Sequence, residues 1–423
     1  MPLDDIGKAG REACLRLAPD GPLVLALSGG GDSTALALIL SDLARLTGRP
    51  FHTLIVDHRL RAGSAAEADL TARRAEALGA DAQILVWTNP APGQGAARAA
   101  RHRLLADACR NIGSQTLFLA HTADDVIETM IMRLTRKQAG WRALAAMSEQ
   151  AMSPVWPEGR GLRLLRPLVR ASRAGLRAFL TRQGADWIED PSNANTRFER
   201  VRVRQSAPLP HSPAGAALLA LNDTALALDG QVRSAAFALL GERARLHGWG
   251  GLTLDAPGFA RAPSPVALRA MEAVMAAVSG QADLPRAPVV DAFLKALCAG
   301  QPASGGGALL TSQGVLGRDP GASAGRADGQ GGASMRELQP GEAGVFDGRF
   351  LVCAGHEALT VSAAGAEKTH AGAVPPVLRA SLVRVQAGHK ALIAGLDEAP
   401  GGAAIGSMIA DRIAHVLNAD RLI

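Results

Sequence analysis

The stretch of residues 23–46 constrains the fold of this 423-residue chain more than any other. Residues 23–27 are all apolar and predict a buried parallel strand, and the apolar spacing of residues 34–46 predicts a helix. The loop between them, residues 28–33, has the sequence Ser-Gly-Gly-Gly-Asp-Ser. A strand, a glycine loop and a helix N-terminus in this order bind phosphate, because the loop amides and the helix dipole face the anion. The sequence therefore predicts a phosphate-binding site in an α/β fold.

The residues of this loop favour a nucleotide site that differs from the two commonest kinds. No lysine follows the glycines, and their spacing does not fit G-x-G-x-x-G. The hydroxyl groups can donate to phosphate oxygens, the glycines leave room for the anion, and the carboxylate is a candidate Mg²⁺ ligand. We expect the nucleotide to contact Ser28, Gly29, Gly30, Gly31, Asp32 and Ser33. An ordinary glycine-rich turn after a strand is the alternative.

A second cluster of polar residues follows the predicted fourth strand. His121, Asp125 and Glu128 are spaced i, i+4 and i+7, which places them on one face of a helix beginning near residue 123. A histidine and two carboxylates at this position can coordinate Mg²⁺ or orient a nucleophile, and Asp125 is the second candidate metal ligand. The adjacent Asp124 points elsewhere and is expected to complement the helix dipole. A polar helix start without a chemical role is the alternative.

Strand and helix patterns alternate from residue 20 to about residue 190, which predicts a doubly wound parallel sheet with helices on both faces. Ligands bind beyond the carboxyl ends of such strands, where both polar clusters lie. The strands are expected at residues 23–27, 51–56, 83–87, 116–120, 162–165 and 186–188.

The chain is long enough for more than one domain. The α/β domain is expected at residues 1–205, a helical second domain at 206–300, a Gly/Ser-rich loop or linker at 301–335, and a small C-terminal α+β region at 336–423. Within the last region, residues 346–350 carry a hairpin turn signal, and residues 405–417 predict a helix.

Positive charge is concentrated near the end of the α/β region. The whole chain has a net charge of +6, and residues 136–204 hold 14 Lys+Arg against 6 Asp+Glu. Such a density suits a polyanion such as nucleic acid, and a solvated arginine-rich face is the alternative. Arg98 and Arg101, one helical turn apart, are further candidates for contact with phosphate. Four more follow a predicted turn: Arg197, Arg200, Arg202 and Arg204.

The remaining composition argues for the cytoplasm. No apolar run is long enough to cross a membrane, and the first residues do not have the pattern of a signal peptide. The four cysteines form no C-x-x-C pair, so neither a disulfide framework nor a cysteine-ligated cluster is expected. We therefore expect a cytoplasmic protein without a membrane partner, and the sequence leaves open whether it forms a homodimer.

The ordered set of these motifs resembles the tRNA(Ile)-lysidine synthetase family of the PP-loop superfamily, also called N-type ATP pyrophosphatases. The residues that carry the resemblance are 28–33, Val56-Asp57-His58, Ala97-Arg98 with Arg101, 121–129, Arg166-Pro167-Leu168 and 186–193. The resemblance implies an adenine nucleotide α-hydrolase-like fold, with ATP and Mg²⁺ as cofactors. It also implies a reaction in which ATP adenylates the wobble cytidine of tRNA(Ile) with a CAU anticodon, and free L-lysine then displaces AMP to give lysidine.

The resemblance implies roles for individual residues. Residues 28–33 would hold pyrophosphate, with Asp32 binding Mg²⁺ and Arg101 neutralising charge as the leaving group departs. Asp125 and Glu128 would position the metal or lysine, with His121 near the phosphates. The chain departs from the family pattern at Arg59, Gln94, His102, residues 136–140 and Val201.

Three other functions share this fold and are weighed against the ligase. A tRNA 2-thiolase is disfavoured because the chain has no C-x-x-C pair for sulfur transfer. A small-molecule amidating synthetase does not explain the arginine-rich stretch at residues 136–204. A decayed paralogue that binds tRNA without chemistry is motivated by the altered segment at residues 136–140.

Overall fold

The computed structural model describes residues 6–59, 63–88, 93–136, 140–189, 197, 199–325, 333–365, 372–397 and 402–418. The chain divides into two compact units, Met1–Gly230 and Gln231–Ile423. Among the described residues, no helix combines the length and the apolar character that crossing a bilayer requires.

A six-stranded sheet forms the centre of the first unit. Its strands are β1 (Leu23–Ala26), β2 (Phe51–Asp57), β3 (Asp81–Val86), β4 (Thr116–Phe118), β5 (Gln150–Met152) and β6 (Arg163–Leu165). They lie in the order β3-β2-β1-β4-β6-β5, and all are parallel except the edge strand β5. The strand order reverses between β1 and β4, the position at which such sheets bind ligands.

Helices cover both faces of this sheet, as predicted. They are α1 (Ile6–Leu17), α2 (Gly31–Thr47), α3 (Ser64–Ala77), α4 (Gln94–Ile112), α5 (Ala123–Leu134) and α6 (Arg173–Arg182). Two further helices follow in the chain, α7 (Glu199–Ser206) and α8 (Pro213–Arg243), and the boundary between the two units falls within α8. Because side chains alternate along a strand, Leu23 and Leu25 pack in the core that contains α2, whereas Val24 packs in the core that contains α4. The predicted doubly wound α/β fold is therefore confirmed.

The predicted strand at residues 186–188 is wrong. Residues 185–189 form an extended connection without strand pairing. The Ile188 amide donates to the Gly29 carbonyl at 2.9 Å, and the Trp187 ring lies 3.5 Å from the position that a Cβ at Gly31 would take. The apolar pattern of this segment thus reflects packing on the glycine loop.

Short strands and helices build the second unit. The helices are α9 (Ala256–Arg261), α10 (Ser264–Ser279), α11 (Ala287–Cys298), α12 (Pro320–Ser323) and α13 (Ile409–Leu417). The strands β7 (Ala244–Leu246), β8 (Leu252–Leu254), β9 (Ala303–Gly305), β10 (Ala308–Leu310) and β11 (Val315–Arg318) form one antiparallel sheet, with α10 at its core.

Two smaller antiparallel sheets complete the second unit. Their strands are β12 (Arg336–Leu338), β13 (Ala343–Phe346), β14 (Phe350–Cys353), β15 (Leu359–Ala363), β16 (Val383–Ala387), β17 (Lys390–Ile393) and β18 (Ala404–Ser407). The predicted hairpin is confirmed, because β13 pairs with β14 across the turn at residues 347–349. The predicted C-terminal helix begins later than expected, since residues 404–407 form β18.

The prediction of a loop or linker at residues 301–335 is wrong for residues 303–318. These residues form β9, β10 and β11, and Ala308, Leu310 and Leu316 are fully buried. Gly306 and Gly307 have φ angles of +58° and +75° and form the turn between β9 and β10. Residues 326–332 lie outside the described part of the chain.

Candidate active site

A cavity of about 370 Å³ lies beyond the carboxyl ends of β1 and β4. It is lined by eight of the ten predicted site residues: Ser28, Gly30, Gly31, Asp32, Ser33, Arg101, His121 and Asp125. Four cations that line it were not among those ten: Arg173, Arg177, Arg200 and Arg204. The structure thus brings the glycine loop and the polar cluster of α5 together around one space.

The glycine loop is held in shape from within. The Ser33 hydroxyl donates to the Gly30 carbonyl at 2.9 Å, and the Ser28 and Ser33 hydroxyl oxygens lie 3.1 Å apart. Gly30 is the N-cap of α2 and has no side chain to cap it. The first amides of α2 are therefore available to an anion in the cavity.

Substitution of Gly29 by alanine should disrupt this loop. Gly29 has a φ of +80°, and an added Cβ would lie 2.5 Å from the Thr71 hydroxyl oxygen and 3.1 Å from the Ile188 side chain. We expect Gly29→Ala to lose about 1–2 kcal/mol of stability from the left-handed backbone alone, and to bind ATP at least about tenfold more weakly. Thermal unfolding and ATP titration measure both effects.

Gly30→Ala is the matched control for that experiment. The φ of Gly30 is −73°, and its added Cβ would meet only the Ser28 hydroxyl, at an ordinary 3.6 Å. This variant should therefore unfold at the wild-type temperature. Equal melting temperatures for Gly29→Ala and wild type would contradict the strained geometry.

Asp32 has one carboxylate oxygen that nothing in the described part of the chain satisfies. Its Oδ2 accepts from Arg173 Nε at 3.3 Å, whereas Oδ1 is buried without a hydrogen-bond partner among the described residues. Burial raises the pKa of Asp32, although the charge of Arg173 opposes that effect. A buried anionic oxygen within a phosphate-binding loop fits a magnesium ion, which prefers one or two carboxylates together with phosphate oxygens.

Asp125 fits the metal less well, because both of its oxygens are occupied. Oδ2 accepts from the Thr122 amide at 2.8 Å and from the Thr122 hydroxyl at 2.9 Å, which forms a capping box at the start of α5. Oδ1 accepts from Arg200 at 2.6 Å and from Arg173 at 3.0 Å. Within the described ranges, no group of three His, Cys, Asp or Glu residues is placed to hold a metal ion.

Glu128 is the most deeply buried member of an acidic and basic network. Its oxygens accept from Arg204 Nε and Arg200 Nε at 2.8 Å each, and from Arg173 Nη1 at 3.2 Å. Burial alone would raise the pKa of Glu128, but the bonds from Arg204 and Arg200 outweigh it and lower that pKa. The pKa of Asp125 is likewise lowered, because the charges of Arg200 and Arg173 exceed the effect of burial. Both carboxylates are therefore ionised at neutral pH.

Arg173 links the glycine loop to the acidic residues of α5, and the sequence analysis did not identify it as a site residue. Its guanidinium contacts Asp32, Asp125 and Glu128, and its backbone amide donates to Asp124 at 2.8 Å. Asp124 thus caps α6 in addition to lying in the first turn of α5. One sequence feature could have revealed Arg173: it is a positively charged residue in the first turn of α6. The helix dipole disfavours positive charge at this position unless acidic groups surround it.

The prediction that His121 shares a helical face with Asp125 is wrong in one respect. Helix α5 begins at Ala123 with Thr122 as its N-cap, so His121 precedes the helix, although it still lines the cavity. Burial, and then the charge of Arg166, lower the pKa of His121 to about 3. Its imidazole is therefore neutral at pH 7.

Among the described residues, Arg101 is a cation of the cavity without an ion-pair partner. Within the described ranges its guanidinium makes no ion pair or hydrogen bond, and it lines the cavity together with His121. By contrast, Arg200 and Arg204, which the sequence suggested as phosphate contacts, are bonded to the acidic residues of α5. Arg101 is thus the cation best placed to meet an incoming phosphate group.

The fold and the glycine loop define a PP-loop ATP-binding protein, and the family model described as a PP-loop domain matches residues 11–208. The tRNA(Ile)-lysidine synthase of Caulobacter vibrioides is 34% identical over 397 residues, which cover 90% of this chain and 88% of that protein. The tRNA(Ile)-lysidine synthase of Methylobacterium nodulans is 40% identical over 274 residues, which cover 62% of this chain and 76% of that protein.

These similarities confirm the resemblance of the sequence motifs. The chain belongs to the tRNA(Ile)-lysidine synthase family. It is an ATP-binding enzyme of tRNA modification.

Proposed function

We propose that this enzyme ligates L-lysine to carbon 2 of the wobble cytidine in tRNA(Ile) with a CAU anticodon and converts ATP to AMP and pyrophosphate. The observation that carries the proposal is the arrangement of the phosphate loop and the carboxylates of α5 around one cavity, joined through Arg173. Membership of the tRNA(Ile)-lysidine synthase family supports the same substrates.

In the first step, the carbon-2 oxygen of the cytidine attacks the α-phosphorus of ATP, and pyrophosphate leaves. The free amides at the start of α2 and the hydroxyls of Ser28 and Ser33 receive the departing phosphates. Asp32 would hold Mg²⁺, which supplies positive charge to the phosphate oxygens when it is bound. Arg101, with no partner among the described residues, neutralises negative charge that develops in the cavity.

In the second step, the lysine amine attacks carbon 2, and AMP leaves. Asp125 and Glu128 are ionised and can bind a cationic substrate, but three guanidinium groups already contact them. A lysine ammonium that takes the place of one guanidinium leaves the charge of the network unchanged. Binding both substrates and the tRNA in one cavity supplies the entropic part of the rate enhancement.

Labelled lysine gives the direct test. The protein is mixed with labelled lysine, Mg-ATP and unmodified tRNA(Ile) bearing CAU, and we expect one lysine per tRNA with one AMP and one pyrophosphate released. Sulfur incorporation from a thiol donor would instead identify a 2-thiolase. ATP binding without incorporation would identify a decayed tRNA-binding paralogue.

The proposal extends to location, assembly and the remaining domains. We place the enzyme in the cytoplasm, where ATP, lysine and tRNA are available, and without a membrane partner.

Residues 206–300 are proposed to contact the tRNA. Light scattering of the purified protein, with and without tRNA, distinguishes a monomer from the homodimer that the sequence leaves open.

A further inference from the structure

A group of arginines begins at Arg101 in the cavity and extends beyond the residues that the proposed chemistry uses. We name it the arginine row, and it consists of Arg98, Arg101, Arg133, Arg136, Arg142 and Arg166. It begins at Arg101 in the cavity and continues on the same helix, α4, with Arg98 one turn away. Strand register pairs Phe118 with Leu165, so Arg166 follows β6 next to the end of β4.

The row then follows α5 away from the cavity. Arg133 lies in the last turn of α5, about 15 Å along the helix axis from Ala123. Its Nη1 donates to the Ala145 carbonyl at 2.8 Å, and Arg166 Nη1 donates to the Ser148 carbonyl at 3.0 Å, so neutral groups hold both guanidiniums in place. Arg136 and Arg142 extend the row past the end of α5.

The described residues of the protein barely neutralise the charge of the row. Among its members, Arg142 makes an ion pair, with Asp229 at 3.6 Å, and the side chains of Arg98 and Arg136 have no partner in the described part of the chain. Burial, and then the charges of Arg136 and Arg98, lower the pKa of Arg133. The network around Glu128 is different, because each of its arginines contacts carboxylates.

We infer that the arginine row binds the phosphate backbone of a single-stranded RNA segment whose modified base enters the cavity beside Arg101. The row is longer than the phosphates of one nucleotide, and the glycine loop already provides the site for ATP. Half-buried Trp141, next to Arg142, offers an aromatic face on which an unpaired base can stack. The inference rests on the proposed function, in which that segment is the anticodon loop.

The double variant Arg98→Ala/Arg136→Ala tests the row, because both side chains are exposed and make no described contact. The matched control is Arg103→Ala/Arg45→Ala, which removes the same charge from arginines paired with Glu158 and Asp42. Binding of unmodified tRNA(Ile) and of its isolated anticodon stem-loop is measured by anisotropy from 50 to 300 mM salt. Lysidine formation is measured in parallel.

For the row variant we expect both RNAs to bind about 10- to 100-fold more weakly, with KM for tRNA raised and kcat changed less than about threefold. The slope of log K against log salt should fall by about 0.7 for each lost contact with a single strand, so by about 1.4 in total. The control should keep the wild-type slope.

Equal slopes for the two double variants would overturn the inference, because net charge alone would then explain binding. A raised KM for ATP with unchanged RNA binding would assign the row to nucleotide phosphates and would also overturn it. Binding is measured without turnover, so an absence of lysidine in the wild-type protein would count against the proposed function and leave the test of the row intact.

Discussion

Replacement of Asp32 by asparagine should reduce ATP-dependent turnover at least about 10³-fold and leave the melting temperature unchanged or higher. The activity should fall because the amide cannot hold a divalent cation that balances phosphate charge, a contribution worth several kcal/mol in the transition state. The stability should not fall, because Oδ1 of Asp32 is buried without a partner in the described structure, and burial already raises the pKa of this carboxyl. A charge that costs stability is retained where function requires it.

Pyrophosphate release and differential scanning calorimetry measure the two effects. Asp42→Asn is the matched control, since Asp42 lies on the same helix but forms exposed ion pairs with Arg11 and Arg45. That control should keep wild-type turnover. Asp32→Asn with full activity, or with an unchanged dependence of the rate on Mg²⁺ concentration, would refute the assignment of the metal to this carboxylate.

Five of the six strands of the central sheet could be predicted, because they lie in short, mostly apolar runs between glycine and polar turns, whereas the edge strand β5 was not predicted. Such runs are characteristic of strands that are buried on both faces. The end of β1 and the start of α5 could be located from the sequence for the same reason, which gave the two halves of the site.

The features that could not be predicted from the sequence depend on contacts between residues that are far apart in the chain. Residues 186–188 look like a strand because Trp187 and Ile188 pack on the glycine loop, which is a contact with residues more than 150 positions earlier in the chain. Residues 303–318 look like a linker because their glycines obscure three short strands, whose burial depends on α10. Arg173 has no motif of its own, and its role depends on carboxylates from two other places in the chain, the glycine loop and α5.

Glu128→Gln should cost the first unit about 2–3 kcal/mol of stability, or about 5–10 °C in melting temperature. The side chain of Glu128 is only 2% exposed, and the neutral amide would leave the surrounding guanidiniums without their main counter-charge. The solvent exposure of Arg200 and Arg204, 38% and 32%, keeps the loss at the lower end for a broken buried pair. Glu128→Gln should also weaken the binding of lysine. We therefore expect a raised KM for lysine and an unchanged affinity for ATP.

A second substitution separates charge from shape. Arg204 hydrogen bonds through its guanidinium to Glu128, so Glu128→Gln/Arg204→Gln should recover part of the lost stability by removing an unpaired cation. Glu149→Gln is the control, because its pair with Arg16 lies at the surface and should contribute less than about 1 kcal/mol. A double variant less stable than Glu128→Gln alone would show that the network depends on packing.

The pH dependence of the same variant gives an independent check. The pKa of Glu128 is lower in the folded protein than in the unfolded chain, so its carboxylate contributes stability that is complete above its ordinary pKa and disappears as pH falls through the folded value. The stability gap between wild type and Glu128→Gln should therefore be constant from pH 7 to about pH 5 and should narrow below about pH 4.5. A gap that stays constant down to pH 3.5 would attribute the effect of Glu128→Gln to side-chain shape, since a protonated glutamate and a glutamine carry the same charge.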